Sequence, residues 1–203
     1  RIGRRGSIHG SWHWRGVQGH TAYIDPTDNP LHKALRGMAA ITETVFEEGD
    51  DAFPATRLNM VRVLSDSGAN NITASQVQAG FNIRNNPLSS AEDLHRRIGE
   101  VLAKADATPD EFQWKVSGHP FRTAGAKFQQ AVTDAIERFT GVTPDANTGG
   151  GTSDGRFLAP LGVEVVEFGL INQTIHKVDE CTEIEHIHQL SHIYQALCEQ
   201  LLS

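Results

Sequence analysis

Apolar and polar residues alternate from Ser7 to Val17, with Ile8, Gly10, Trp12 and Trp14 on one side and His9, Ser11 and His13 on the other. That period of two predicts a half-buried strand. Asn29 and Pro30 then supply a cap and a first-turn proline, and they open a helix. Leu31, Ala34, Leu35, Met38, Ile41 and Val45 recur at helical spacing along it, and Gly49 ends it. Two more strands are expected over Thr56–Leu64 and Ser75–Arg84, the second alternating cleanly through Val77, Ala79, Phe81 and Ile83. The stretch DSGANNIT between them, Asp66–Thr73, has the chemistry of a loop. A second helix, Leu88–Ala105, takes Ser89 or Ser90 as its cap and turns Leu94, Ile98, Val101 and Leu102 inward. Glu111–Ser117 closes the run as a strand.

The order β-α-β-β-α-β from Gly6 to Ser117 predicts a ferredoxin-like α+β domain: a four-stranded antiparallel sheet with two helices on one face. Gly6 and Gly118 are its expected hinges. Beyond it, Thr123–Thr140 is helical, with Phe128, Val132, Ile136 and Phe139 at core spacing. Asn147–Phe168 reads as a loop, a short helix and a strand, Val163–Phe168. A last helix, Glu183–Leu202, is expected to bury Ile187, Leu190, Tyr194, Leu197 and Leu201. Helix, strand and helix without the strands for a sheet read as part of an α/β layer completed elsewhere.

With 203 residues the chain holds one large or two small domains, and 38% hydrophobic and 21% charged residues is an ordinary globular composition. A net charge of −7 with scattered basic residues argues against nucleic acid or an anionic membrane as partner. No apolar run approaches the ~20 residues of a membrane span. Cys181 and Cys198 form neither a CxxC pair nor a disulfide framework, which suits a reducing cytoplasm. The opening RIGRRG lacks a methionine and reads as the interior of a longer protein, so the chain is expected to be a fragment.

Two stretches carry candidate chemistry. NTGGGTSDGRF, from Asn147, places three glycines where main chain could approach another group closely, followed by Thr152, Ser153 and Asp154, all capping residues. A helix opening there would turn free N–H groups toward an anion; the plainer reading is a turn. Further on, His176 sits among Asn172, Thr174, Asp179 and Glu180, a plausible metal or substrate edge. His20, in GVQGHTAY, reads on its own as a loop histidine bonded to backbone. His188 and His192, one turn apart beside His186, fall with Gln195 and Glu199 opposite the apolar stripe and read as a solvated face.

Five strings in register resemble one family. GRRGSIHG (Gly3–Gly10), GVQGHTAY (Gly16–Tyr23), DNPLHKAL (Asp28–Leu35), FNIR (Phe81–Arg84) and the pair GGTSDGRF (Gly150–Phe157) with NQTIHKVDE (Asn172–Glu180) are similar to the succinyl-diaminopimelate desuccinylases, within the dinuclear zinc aminoacylase and carboxypeptidase family. The similarity runs over essentially the whole chain. It implies residues 1–5 as hinge and end of an N-terminal catalytic segment, 6–117 as a lid and dimerisation domain, and 118–203 as the C-terminal part of an α/β zinc-hydrolase domain.

The resemblance also implies roles. His20 would stabilise the oxyanion of the tetrahedral intermediate in the partner subunit's site, joined by the lid asparagine Asn71, with Asn70 leaving that alignment open by one position. Arg84 would hold a substrate carboxylate in its bidentate fork. Arg4 and Arg5 would bind the succinyl carboxylate, Thr152 and Asn172 would line the succinyl group, and His176 would complete the second zinc. Two zincs per site are implied, with cobalt possible, together with a homodimer formed through the lid. The reaction implied is hydrolysis of N-succinyl-LL-diaminopimelate to succinate and diaminopimelate, toward lysine and cell-wall peptide. Two departures stand out: Tyr23 is followed by Ile24 and Asp25 where Tyr-Pro-His is usual, and Gly149 replaces a more usual serine.

Such an enzyme also needs a bridging carboxylate, another histidine, two more acidic ligands and a glutamate base. In the family these lie upstream of GRRGS, on an HxD motif and a Glu-Glu pair. No HxD occurs here, and Glu47–Glu48 falls on the expected lid helix. The chain alone is therefore expected to be inactive. A sister deacylase acting on acetylornithine or another N-acyl amino acid, and a non-catalytic dimerising or binding module, remain open alternatives.

Overall fold

The computed structural model describes every residue but Thr152. The chain divides into two compact units, one of Arg5–Phe121 and one of Arg1–Arg4 with Arg122–Ser203. A separate two-stranded ladder pairs β1 (Gly3–Arg4) with β6 (Phe121–Arg122).

The unit of residues 5–121 is β2 (Ser7–Arg15), α1 (Pro30–Thr42), β3 (Arg57–Leu64), β4 (Gln76–Arg84), α2 (Ala91–Lys104) and β5 (Glu111–Gly118). Its strands lie in the antiparallel order β3-β4-β2-β5, which is the ferredoxin-like βαββαβ arrangement. Register explains the core. Ile8, Gly10, Trp12 and Trp14 stand opposite Ile83, Phe81, Ala79 and Val77, so every residue of the apolar phase shares one face. Ala34 and Ile41 of α1 and Leu94, Ile98 and Leu102 of α2 close over that face. Trp12 stacks on Phe81 with centroids 4.3 Å apart, room that Gly10 makes by lacking a side chain between Phe81 and Trp114.

β3 solves a local conflict. Strict alternation from Met60 would turn Arg62 into the core. Instead the register slips between Met60, opposite Phe81, and Arg62, opposite Gly80, so that Val61 is the extra residue of a bulge. Arg62 thereby stays on the polar face and Val63 returns to the phase of Ala79.

Both helices are shorter than their patterns. Asn29 caps α1 by accepting from Leu31 N–H at 3.0 Å, and Ser90 caps α2 by accepting from Asp93 N–H at 3.0 Å. Yet α1 stops at Thr42 rather than running to Gly49, and Val45, beyond its end, is exposed, as is Leu35 on the helix itself. The Thr44 hydroxyl takes the Ala40 carbonyl at 2.8 Å, competing with the next helical turn. Glu47, expected on this helix, lies in the following loop, where its carboxylate accepts from Gly49 N–H, Thr56 N–H and Asn86 Nδ2.

The other unit contains α3 (Ala126–Thr140), a one-turn α4 (Gly155–Leu158) and α5 (Ile184–Leu202). Ala131, Val132 and Ala135 of α3 meet Ile193 and Leu197 of α5, with Phe128, Ile136, Phe139, Val166 and Phe168 around them. On α5 the packed line is Ile193 and Leu197; Ile187, Tyr194 and Leu201 are exposed, a correction to the wider stripe expected. The apolar arc of α5 is broad and α3 covers only one edge of it. Residues 163–168, expected as a strand, form no strand. Val165 exchanges bonds with the Thr123 hydroxyl, and Glu167 N–H donates to the Arg1 carbonyl at 2.9 Å. Isolated bonds of that kind do not make a sheet.

Candidate functional site

Two loops of the residue 5–121 unit build the first site, one following β2 and one joining β3 to β4. Gly16 N–H donates to Ser75 O at 2.9 Å, Thr73 N–H to Gly19 O at 2.9 Å and Thr21 N–H to Asn71 O at 3.0 Å. The Thr73 hydroxyl, buried between them, accepts from Gly19 N–H at 3.0 Å and donates to Val17 O at 3.0 Å. This lacing sets His20 opposite Ile72 as an isolated antiparallel bridge. It leaves the His20 Nε2 and Asn71 Nδ2 atoms 3.4 Å apart, both side chains exposed.

Thus His20 and Asn71, 51 positions apart in sequence, are neighbours in the folded chain. On the other side of the ring, Ala22 N–H donates to His20 Nδ1 at 3.1 Å, and Tyr23 lies 5.4 Å from it, centroid to centroid. At the loop's far end the Thr27 hydroxyl and N–H hold the Asp25 carboxyl below its usual pKa. Thr73 was not singled out by its sequence, since a threonine closing a polar loop carries no sign that its hydroxyl is buried.

Arg84 ends β4 on the polar face of the sheet, opposite Arg57 in the neighbouring strand. Arg5 keeps a buried Nε with no hydrogen-bond partner among the described residues.

The second group of expected residues lies in the unit of Arg1–Arg4 and Arg122–Ser203. Arg4 pairs with Glu167 at 2.5 Å and donates to Gly149 O at 2.6 Å. The glycine loop does admit a close approach, but the group that approaches is this guanidinium: a Cβ on Gly150 would lie 2.3 Å from Arg4 Nη1. Arg4 and Asn172 line one cleft of ≈ 400 Å³, with Asp145 and Glu167 beside them. Ser153 donates to Glu167, Asp154 makes no side-chain cap, and α4 is four residues long, so no helix N-terminus is available for an anion there. Thr152 lies outside the described residues.

His176 is exposed at the tip of a loop that Thr174 closes, its hydroxyl donating to Cys181 O at 2.9 Å and accepting from Cys181 N–H at 3.1 Å. Both His176 (φ +61°) and Asp179 (φ +60°) are left-handed, a conformation uncommon for residues with a side chain. Among the described residues no three His, Cys, Asp or Glu side chains converge as a metal requires. His176 alone would offer one donor of the roughly four that zinc takes, so the described residues do not by themselves fit a metal ion. His188 and His192 are exposed on α5. Cys181 and Cys198 are free and exposed, and among the described residues no helix is long and apolar enough to cross a membrane.

Comparison with known proteins agrees with this architecture. The model of the M20 peptidase dimerisation domain matches residues 2–109. A succinyl-diaminopimelate desuccinylase of Xylella fastidiosa is 40% identical over 205 aligned positions, covering 100% of this chain and 54% of that protein. The chain therefore spans about half the length of the relatives it matches. In fold it resembles the aminopeptidase PepT of Bacillus cereus, with a TM-score of 0.79 at 18% identity, covering 100% of this chain and 53% of that one. It also resembles the Bacillus subtilis YXEP protein, a dinuclear metal-binding peptidase of the M20 family, with a TM-score of 0.69 at 15% identity, covering 98% and 51%. Ferredoxin-like topology, the paired loops and the family match over residues 2–109 converge: the chain belongs to the M20 peptidase family through its dimerisation domain.

Proposed function

We propose that this chain provides the dimerising lid and the C-terminal part of the catalytic domain of an amidohydrolase that cleaves N-succinyl-LL-diaminopimelate to succinate and LL-diaminopimelate. Residues 6–117 are the lid, residues 1–5 the hinge, and residues 118–203 the catalytic part. The observation that carries the reading is the placement of His20 Nε2 and Asn71 Nδ2 3.4 Å apart on laced loops. Two nitrogens side by side, each able to donate, suit one anionic oxygen, and donors held in place before charge develops are among the strongest aids to amide hydrolysis. His20 and Asn71 act across a homodimer on the oxyanion of the tetrahedral intermediate. Arg84 and Arg5 hold carboxylates of the substrate; Arg4, Asn172 and Thr152 shape the succinyl pocket. His176 is one ligand to a zinc site whose remaining donors lie in the half of the enzyme that this chain does not span.

A second feature supports an incomplete catalytic layer. α3 and α5 leave a groove of ≈ 510 Å³ lined by Ile136, Val142, Phe168, Ile171, Leu190 and Ile193. Phe157, Leu161, Ile171, Val178 and Ile184 are exposed in the same unit. Apolar surface of that extent is covered in a stable protein.

The test is succinate release from N-succinyl-LL-diaminopimelate by the chain alone, by the chain combined with the complementary half, and by the same pair carrying His20→Ala. The expected result is no turnover, turnover, and turnover reduced by about 100-fold or more, the scale of removing one oxyanion donor. Turnover unaffected by His20→Ala would refute the role of the lid. Faster hydrolysis of an N-acetyl substrate would assign the chain to a sister deacylase. A dimer without turnover in any combination would favour a binding module.

A further inference from the structure

We propose that the Ala22 main-chain N–H fixes His20 in the tautomer that carries its proton on Nε2, with the Thr73 hydroxyl as the positioning group for the loop that presents this N–H. A neutral imidazole has one donor nitrogen and one acceptor nitrogen, and the bond made by one decides the state of the other. Ala22 N–H points at His20 Nδ1 from 3.1 Å. A peptide N–H can only donate, so Nδ1 must offer its lone pair, and the proton resides on Nε2. The opposite tautomer would set two N–H groups against each other at that distance.

The consequence falls on the side facing Asn71. With Nε2 protonated, His20 Nε2–H and the Asn71 amide, 3.4 Å apart, provide two donors to one external acceptor. Without such an acceptor, a half-turn of the amide lets Asn71 Oδ1 accept from Nε2–H. The same pair therefore satisfies itself when empty and opens to an anionic oxygen when one arrives. Resting on the reading of His20 as an oxyanion donor, the lock means that the ring needs no second proton to donate. A local hydrogen bond of ordinary net strength favours one tautomer by about 2- to 12-fold.

The geometry depends on Thr73. His20 and Ala22 lie within a loop otherwise exposed, and the atoms that shape its start are Gly19 N–H, Gly19 O and Val17 O. Thr73 meets all three: its N–H donates to Gly19 O at 2.9 Å, and its hydroxyl accepts from Gly19 N–H and donates to Val17 O, both at 3.0 Å. Thr73→Val keeps the shape of the side chain and removes the hydroxyl bonds. Thr73→Ser keeps them.

The tautomer is read by long-range proton–nitrogen correlation spectra of the 203-residue chain, at a pH where imidazoles are neutral, with the His20 signals assigned by their loss in His20→Gln. The expected wild-type pattern is a protonated Nε2 and an unprotonated Nδ1. Thr73→Val and Ala22→Pro should lower the tautomer ratio at least about twofold, and Thr73→Ser should restore it. A wild-type His20 protonated on Nδ1, or a ratio in folded Thr73→Val equal to that of wild type, overturns the proposal. Should Ala22→Pro fail to fold, the Thr73 pair still decides. The readout involves no turnover, so a catalytic role for His20 and the tautomer lock stand or fall separately.

Discussion

Replacing Glu47 by glutamine tests whether a single carboxylate organises the segment between α1 and β3. Its Oε2 accepts from Gly49 N–H, and its Oε1 accepts from Thr56 N–H and, at 2.8 Å, from Asn86 Nδ2. Asn86 is fully buried, reaches Pro54 O at 3.1 Å through the same nitrogen, and donates its N–H to Thr56 Oγ1 at 3.2 Å. Glutamine retains one oxygen for Thr56 and Asn86, now uncharged, and turns an NH₂ toward Gly49 N–H. A hydrogen bond to a charged acceptor contributes about 1.5–3 kcal/mol and a neutral one about 1 kcal/mol. Allowing for screening at a half-buried site and for water reaching Gly49 N–H, Glu47→Gln should cost about 2–3 kcal/mol.

The pH dependence separates charge from shape. Partial burial acts to raise the pKa of Glu47, but the hydrogen bonds from Asn86, Thr56 and Gly49 outweigh it and hold the carboxyl below its usual value. Between the lowered folded pKa and the unfolded value of about 4.3, the unfolded chain binds more protons, so stability rises with pH in that window. The contribution is complete above the unfolded pKa and is lost as pH falls through the folded one. Trp12, Trp14 and Trp114 all belong to residues 5–121, so urea unfolding followed by tryptophan fluorescence reports on this unit. The gap between wild type and Glu47→Gln should be full at neutral pH and close in acid, where both side chains are neutral. Equal stabilities at neutral pH, or a gap that persists unchanged in acid, would refute the role of the charge.

Three other substitutions address the packing. Gly10→Ala would place a Cβ 2.1 Å from Gln113 O and 2.6 Å from Phe81 Cζ, so it should lower the urea midpoint of the same fluorescence transition by the equivalent of about 1–3 kcal/mol. Ile98→Ala, in the fully buried line of α2, should cost about 2–5 kcal/mol with an unchanged denaturant slope; a cost below 1 would mean the helix is not seated as described. Gly150→Ala meets the flexible end of Arg4, which can yield, so its cost comes from the left-handed φ of +92° and should be about 1–2 kcal/mol. Amide hydrogen exchange in α3 and α5 would register it, and unchanged exchange there would count against a structural role for the glycine loop.

The sequence made residues 5–121 legible because its signals there are local and redundant. Ile8–Trp14 and Val77–Ile83 each alternate without a break, and both helices carry a capping residue that bonds as its type suggests. What escaped was decided between segments. The end of α1 is set by Thr44 reaching back to Ala40 and by Glu47 being drawn to Asn86, 39 positions on. The bulge at Val61 follows from the register of β4, which no window around Arg62 contains. His20 and Asn71 could be named from their motifs, but the hydroxyl that seats their loops could not, because Thr73 reveals its burial only once both loops exist.

In the other unit the sequence misled for a different reason. A period gives the direction of a buried stripe only when one neighbour covers it. On α5 apolar residues span a broad arc, and α3 selects Ile193 and Leu197 while Ile187 and Tyr194 stay exposed. Residues 163–168 have the composition of a strand, yet a strand is defined by its neighbours, and here the neighbours are the Thr123 hydroxyl and the amino group and carbonyl of Arg1. The glycine loop shows the same logic in electrostatic form. Its close approach and exposed main chain were readable as an anion site, but the loop carbonyl of Gly149 and the carboxylate of Glu167 attract a cation, and Arg4 fills that role. Where partners are present in the chain, pattern and structure agree residue by residue; where they are few, the same pattern leaves apolar side chains such as Ile187 and Leu201 exposed.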